Sequence, residues 1–184
     1  MKICITGLSM AINNVLCKVD SLLSTVYKEP KGKMEEKKIK MSLSISDHGR
    51  QYLLYSFDKV VRFANNTKAA DLQPYFKTNA GVKSMCDYFL FCWERGKLYV
   101  LLIELKQGAN NVTHQLLAGK LFALYIISTL NRVENTTIQP EIRRIAVRNS
   151  YIIKKGTSMK SVVYDSDSFC TFAGSEFHLP EFLK

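Results

Sequence analysis

Glu104 and Lys106 stand two residues apart in LYVLLIELKQG, residues 98–108, an otherwise apolar run. Alternation along a strand puts both on one face with Val100 and Leu102. A second apolar run, MCDYFLFCW (85–93), precedes it across Glu94-Arg95-Gly96, and the pair predicts a β-hairpin. A turn centred on Arg95-Gly96, in a loop of two or four residues, sets Asp87 opposite Glu104; a loop of three or five residues, or a bulge, shifts the pairing by one. Directly opposed side chains have Cβ atoms about 4.5–5.5 Å apart. At about 5 Å and an effective dielectric of about 20, two carboxylates repel by about 3 kcal/mol. Lys106 offsets part of this and a bridging divalent cation more, Mg²⁺ or Mn²⁺ suiting hard oxygen ligands. Such an ion activates water beside a phosphate, and a lysine next to it orients that water, helps deprotonate it or neutralises developing charge. That is the chemistry of phosphodiester hydrolysis.

The spacing alone is a weak signal. Acid-x-Lys occurs four times, at Glu29/Lys31, Glu35/Lys37, Glu36/Lys38 and Glu104/Lys106, and only the last lies in an apolar strand with an opposed aspartate. Lys83 and Ser84, just before Asp87, are placed to touch a nucleic-acid backbone. Asp165 and Asp167 in YDSDSF read as turn aspartates that bond locally, and His114 as a surface or capping histidine.

The elements that must position these residues follow from periodicity. Apolar residues recur at helical spacing over 8–28, predicting an amphipathic helix ended before Pro30. KEPKGKMEEKKIK reads as an exposed charged loop, MSLSIS, QYLLYSF and KVVRFA as strands, with a helix over 50–63 as the alternative, and 65–81 as irregular or briefly helical. A long helix over 110–131, with Asn110 or Asn111 as N-cap, follows the hairpin. Its second half, LFALYIISTL, is apolar nearly all round and is expected to be buried. EIRRIAVRN and SVVYDSDSFCTF read as further strands, and FHLPEFL as a tail that docks its apolar side chains. These alternating elements predict an α/β fold with a mixed central β-sheet flanked by helices. With no repeat or linker, residues 1–184 read as a single domain with its core at about 80–150.

A hydrophobic content of 47% argues against wholesale disorder, and 26 basic against 16 acidic residues give a net charge of +10 that favours a polyanionic partner. The five cysteines, at 4, 17, 86, 92 and 170, form no CxxC pair and read as core thiols of a reducing compartment. A signal peptide is not expected, and no apolar run looks long and clean enough to span a bilayer. The expected setting is intracellular, cytoplasmic or nucleoid-associated.

The residues CD at 86–87, ELK at 104–106 and the helix NNVTHQLLAGKLFALYI after them resemble the PD-(D/E)xK nuclease superfamily, with its restriction-endonuclease-like fold. The resemblance covers about 80–130 and implies a Mg²⁺- or Mn²⁺-dependent nuclease. It implies that Asp87, Glu104 and the carbonyl of Leu105 hold the metal, that Lys106 assists the attacking water, and that Gln115 belongs to the active site. Lys120, five residues beyond Gln115, is placed to reach a phosphate. Cys86 stands where the motif has proline, and Gly119 where one branch has tyrosine. The family often takes a further acid from its first helix, where Asp20 is the only one within 8–28. The implied partner is nucleic acid, DNA before RNA, and cleavage of both strands would call for a homodimer. The alternative is a catalytically inactive nuclease-fold module that binds nucleic acid or a protein.

Overall fold

The computed structural model describes residues 7–58, 84–108, 111–148 and 162–184. It is a mixed α/β arrangement. Helix α1 (Gly7–Leu22) is followed by strands β1 (Lys33–Glu36), β2 (Met41–Ser46) and β3 (Tyr52–Tyr55). The hairpin β4 (Tyr88–Glu94) and β5 (Lys97–Lys106) comes next, then helix α2 (Thr113–Glu134), β6 (Pro140–Arg148), β7 (Phe169–Ala173) and β8 (Glu176–His178). Five strands form the main sheet in the order β3-β4-β5-β6-β7, in which β4 runs antiparallel to β3 and β5, and β5, β6 and β7 are parallel. A smaller sheet, β1-β2-β8, packs on one face of it.

The hairpin adopts its shortest loop. Arg95 and Gly96 have φ of 51° and 78°, both positive, as a two-residue hairpin turn requires. Glu94 pairs with Lys97, and the register runs back to Tyr88 opposite Ile103, which brings Asp87 level with Glu104. Leu98 to Leu105 are all buried because β5 is a central strand with a core on each side. One core joins Phe89, Phe91, Val100 and Leu102 to Leu116, Ala123 and Ile127 of α2 and to Leu16 and Val19 of α1. The other joins Leu90, Leu101 and Ile103 to Met34, Leu43 and Ile45 of the small sheet and to Phe177, Phe182 and Leu183 of the tail. Among the described residues, then, both α-helices pack on one face of the main sheet, while the small sheet and the C-terminal tail cover the other.

Several boundaries differ from expectation for identifiable reasons. The charged segment 28–40 is no loop: Lys33–Glu36 pairs with Met41–Ser44, burying Met34 while charged neighbours face water on an edge strand. Helix α1 stops at Leu22 because the following backbone is used elsewhere, with the Ser56 N–H donating to the Tyr27 carbonyl (2.9 Å) and the Glu29 N–H to that of Leu54 (2.8 Å). Strand β7 starts only at Phe169, since Asp165 Oδ1 accepts the N–H groups of Asp167 and Phe169 (2.9 Å each) in a local turn. The tail docks as expected, with Phe177, Leu179, Phe182 and Leu183 buried. The expected strand KVVRFA, residues 65–81 and Asn110 lie outside the described residues; the N-cap is Val112 rather than an asparagine, and Asn111, one residue earlier, accepts the Thr113 N–H with its Oδ1 at 2.8 Å.

The second half of α2 is not buried all round. Leu116, Gly119, Ala123, Ile126, Ile127 and Leu130 face the sheet, while Leu121 and Tyr125 are 70% and 67% exposed. By length and composition alone α2 is long and apolar enough to cross a membrane, which corrects the expectation that no segment is; its buried face is nonetheless docked on the sheet. Gly119 permits that docking: a Cβ there would lie 2.6 Å from Cys86 Sγ. This close approach explains why no larger side chain stands at 119.

Candidate active site

Asp87 is the last residue before β4, and Glu104 and Lys106 lie at the C-terminal end of β5, so the two strands deliver them to one end of the sheet. The backbone couples the acids crosswise. The Asp87 N–H donates to Glu104 Oε2 (3.2 Å), and the Leu105 N–H donates to Asp87 Oδ2 (2.7 Å). In a strand the N–H and C=O of one residue point to the same side, so the Leu105 carbonyl also faces the Asp87 edge. Lys106 Nζ stands 2.9 Å from Glu104 Oε1.

Glu104 is 2% exposed. Burial raises its pKa above the ordinary carboxylate range, against the opposing hydrogen bond and charge of Lys106. Asp87 is pushed up to about 7, first by burial and then by the charge of Glu104, with the Leu105 hydrogen bond opposing. Lys106 moves up instead, chiefly through its hydrogen bond to Glu104, and stays cationic. One lysine thus compensates two acids incompletely, and the remaining negative charge is what an added cation would offset.

These groups line a cleft of about 200 Å³ together with Glu36, Lys38, Ile39, Asp58, Ser84, Met85, Leu105 and Gln115. Ser84 and Gln115 therefore join the acids as the sequence suggested. Lys120 is exposed on α2 and does not line this cleft, and Lys83 lies outside the described residues. Asp20 is elsewhere: it accepts hydrogen bonds from Lys28 Nζ (2.7 Å) and the Tyr55 hydroxyl (2.6 Å), which hold its pKa low and tie α1 to β3.

The sequence reading missed Glu36 and Asp58. Asp58, three residues beyond the end of β3, lines the cleft with Asp87, and burial raises its pKa too. Its signal was available only to a reader who knew that β3 pairs with β4. Among the described residues no three His, Cys, Asp or Glu side chains are grouped closely enough to hold a metal. A hard cation here would draw on Asp87, Glu104, the Leu105 carbonyl and water, a set of oxygen donors that fits Mg²⁺ or Mn²⁺.

Four of the cysteines are described; all four are free, with Cys86, Cys92 and Cys170 buried. Burial first, then Glu104 and Asp87, push the Cys86 thiol well up, which makes it an inert core group.

Comparison with protein-family models, curated proteins and solved structures gave no match for this chain. The functional reading therefore rests on the chain's own geometry.

Proposed function

We propose that the protein is a metal-dependent nuclease that hydrolyses phosphodiester bonds of nucleic acid, DNA in preference to RNA. The observation that carries this reading is the pair of buried, under-compensated carboxylates, Asp87 and Glu104, coupled through the backbone beside Lys106 in one cleft. Support for a restriction-endonuclease-like fold comes from the order of elements: an acid on one strand, Glu-Leu-Lys on its antiparallel neighbour, then a helix and a strand parallel to the second. The net charge of +10 favours a polyanionic substrate.

Asp87, Glu104 and the Leu105 carbonyl would hold Mg²⁺ or Mn²⁺, which when bound supplies a Lewis acid and a water of lowered pKa. Lys106 acts as a cation. Hydrogen-bonded to Glu104, it donates hydrogen bonds that aim the water and neutralise charge gathering on the phosphate. Gln115 offers an amide N–H to the same space, and Ser84 a hydroxyl that donates to a non-bridging phosphate oxygen.

Purified protein incubated with Mg²⁺ or Mn²⁺ and plasmid, linear and single-stranded DNA is expected to cleave at least one form, and Lys106→Ala to cleave far more slowly. No cleavage by wild type, or equal cleavage by Lys106→Ala, defeats the catalytic reading. A second reading, an inactive module that binds nucleic acid or a protein, is favoured by the internal partners that both carboxylates already have. It requires DNA binding indifferent to Mg²⁺ and retained by Asp87→Ala.

A further inference from the structure

Resting on the nuclease reading, we propose that the β1–β2 turn, residues 37–40, is a phosphate clamp whose lysines grip the backbone of the nucleic-acid strand entering the cleft. The turn is Lys37-Lys38-Ile39-Lys40, closed by the pairing of Glu36 with Met41, and its three lysines are exposed. Lys38 and Ile39 line the same cleft as Asp87, Glu104 and Lys106, so the turn forms its lip. A polyanion approaching a cleft lined by Glu36, Asp58, Asp87 and Glu104 is repelled unless cations stand at the mouth.

Three features make this turn more than a solvated charged loop. Its position relative to the acids is fixed. The Tyr88 hydroxyl, one residue from Asp87, accepts the Glu35 N–H (2.8 Å) and donates to the Glu35 carbonyl (2.7 Å). At the other end of β1 the Gly32 N–H donates to the Tyr52 hydroxyl (2.7 Å), and Ile39 packs on the core. Second, the lysines are free to bind: among the described residues none of Lys37, Lys38 and Lys40 forms an ion pair, and Glu36 spends a carboxylate oxygen on the Lys38 N–H (2.8 Å). Third, Lys40 has φ of 50°, a left-handed conformation that favours glycine or asparagine. Glycine would suit that backbone better than lysine does, so the turn by itself does not call for the Lys40 charge.

The test uses the Glu104→Gln protein in Mg²⁺, so that substrate persists, with a labelled duplex oligonucleotide and salt varied between about 50 and 200 mM. Adding Lys37→Gln, Lys38→Gln and Lys40→Gln is expected to weaken binding at least about tenfold and to lower the log–log salt slope by about 2 to 3. A charge-matched control, Lys18→Gln with Lys97→Gln and Arg132→Gln, is expected to lose less than about threefold. Equal losses in the two triple variants, or an unchanged slope, overturn the clamp. Lys40→Gly separates gripping from turn-building: it is expected to bind more weakly with a Tm no lower than its parent, and binding as tight as the parent's overturns the role of Lys40. Should Glu104→Gln itself show no salt-dependent binding, the nuclease reading and the clamp fall together. Should it bind with the turn lysines indifferent, only the clamp falls.

Discussion

Arg143 on β6 and Glu104 on the neighbouring β5 are both nearly sealed from solvent, at 6% and 2% exposed, yet their surroundings answer the charge in opposite ways. Arg143 lies over the rings of Tyr99 (5.0 Å) and Tyr164 (4.6 Å), donates from Nη1 to the Phe182 carbonyl (2.6 Å) and from Nε to Glu141 Oε1 (3.0 Å). Burial pushes Glu141 up, but its hydrogen bonds from Arg143 and Lys97 outweigh this and hold it below the ordinary carboxylate range. At the cleft the balance reverses: Asp87 and Glu104 both sit above their ordinary values with one lysine between them. A charge buried for architecture is surrounded by partners, and here it locks the C-terminal tail onto the sheet. A charge left short of partners costs stability, and that imbalance is what the proposed metal ion would relieve.

The contrast can be broken by substitution, and the largest effect falls at the cleft. Glu104→Gln is expected to lower nucleolytic rate by about 10³-fold, roughly 4 kcal/mol of transition-state stabilisation, while urea denaturation finds the fold no weaker. Slow cleavage accompanied by large destabilisation would make Glu104 another Arg143. Conversely, Arg143→Ala is expected to cost about 2–4 kcal/mol in a denaturant titration, because it leaves the buried Phe182 carbonyl without its donor and a void between Tyr99 and Tyr164, without removing any cleft residue. Next in size, Gly119→Ala should cost about 1–3 kcal/mol by driving a methyl into Cys86 Sγ. Combining it with Cys86→Ala is expected to recover part of that loss, read as a coupling energy in a double-mutant cycle.

The smallest effect sharpens the contrast by pH. A carboxyl whose folded pKa is raised takes up protons on folding, so its penalty is absent below the unfolded pKa near 4 and is complete above about 7. Metal-free protein in EDTA is therefore expected to lose stability as pH rises through that window. Asp87→Asn should flatten the profile. Stability rising over the same window would mean that the acids are fully compensated.

How much of this was legible in the sequence depends on the range of the contact. The hairpin register was readable because Arg95-Gly96 lies between two apolar runs, and one turn then fixes every pair back to Tyr88 opposite Ile103. Glu36 and Asp58 reach the cleft from β1 and from the segment just after β3, and no local pattern announces which strands will be neighbours. β1 was hidden because a two-sheet packing needs only one buried side chain, Met34, from a strand otherwise charged. The outer stripe of α2 was misread because periodicity reports which residues are apolar, not how much of the helix the sheet can cover.

The central claim is that Asp87 and Glu104 together hold a divalent cation in the cleft. Calorimetric titration of wild type and Asp87→Asn with Mn²⁺ at pH 7.5 tests it without any need for substrate. The account predicts saturable binding near one ion per chain in the wild type, lost or weakened at least about tenfold by Asp87→Asn. Equal binding by both proteins, or no binding heat in either, would contradict it.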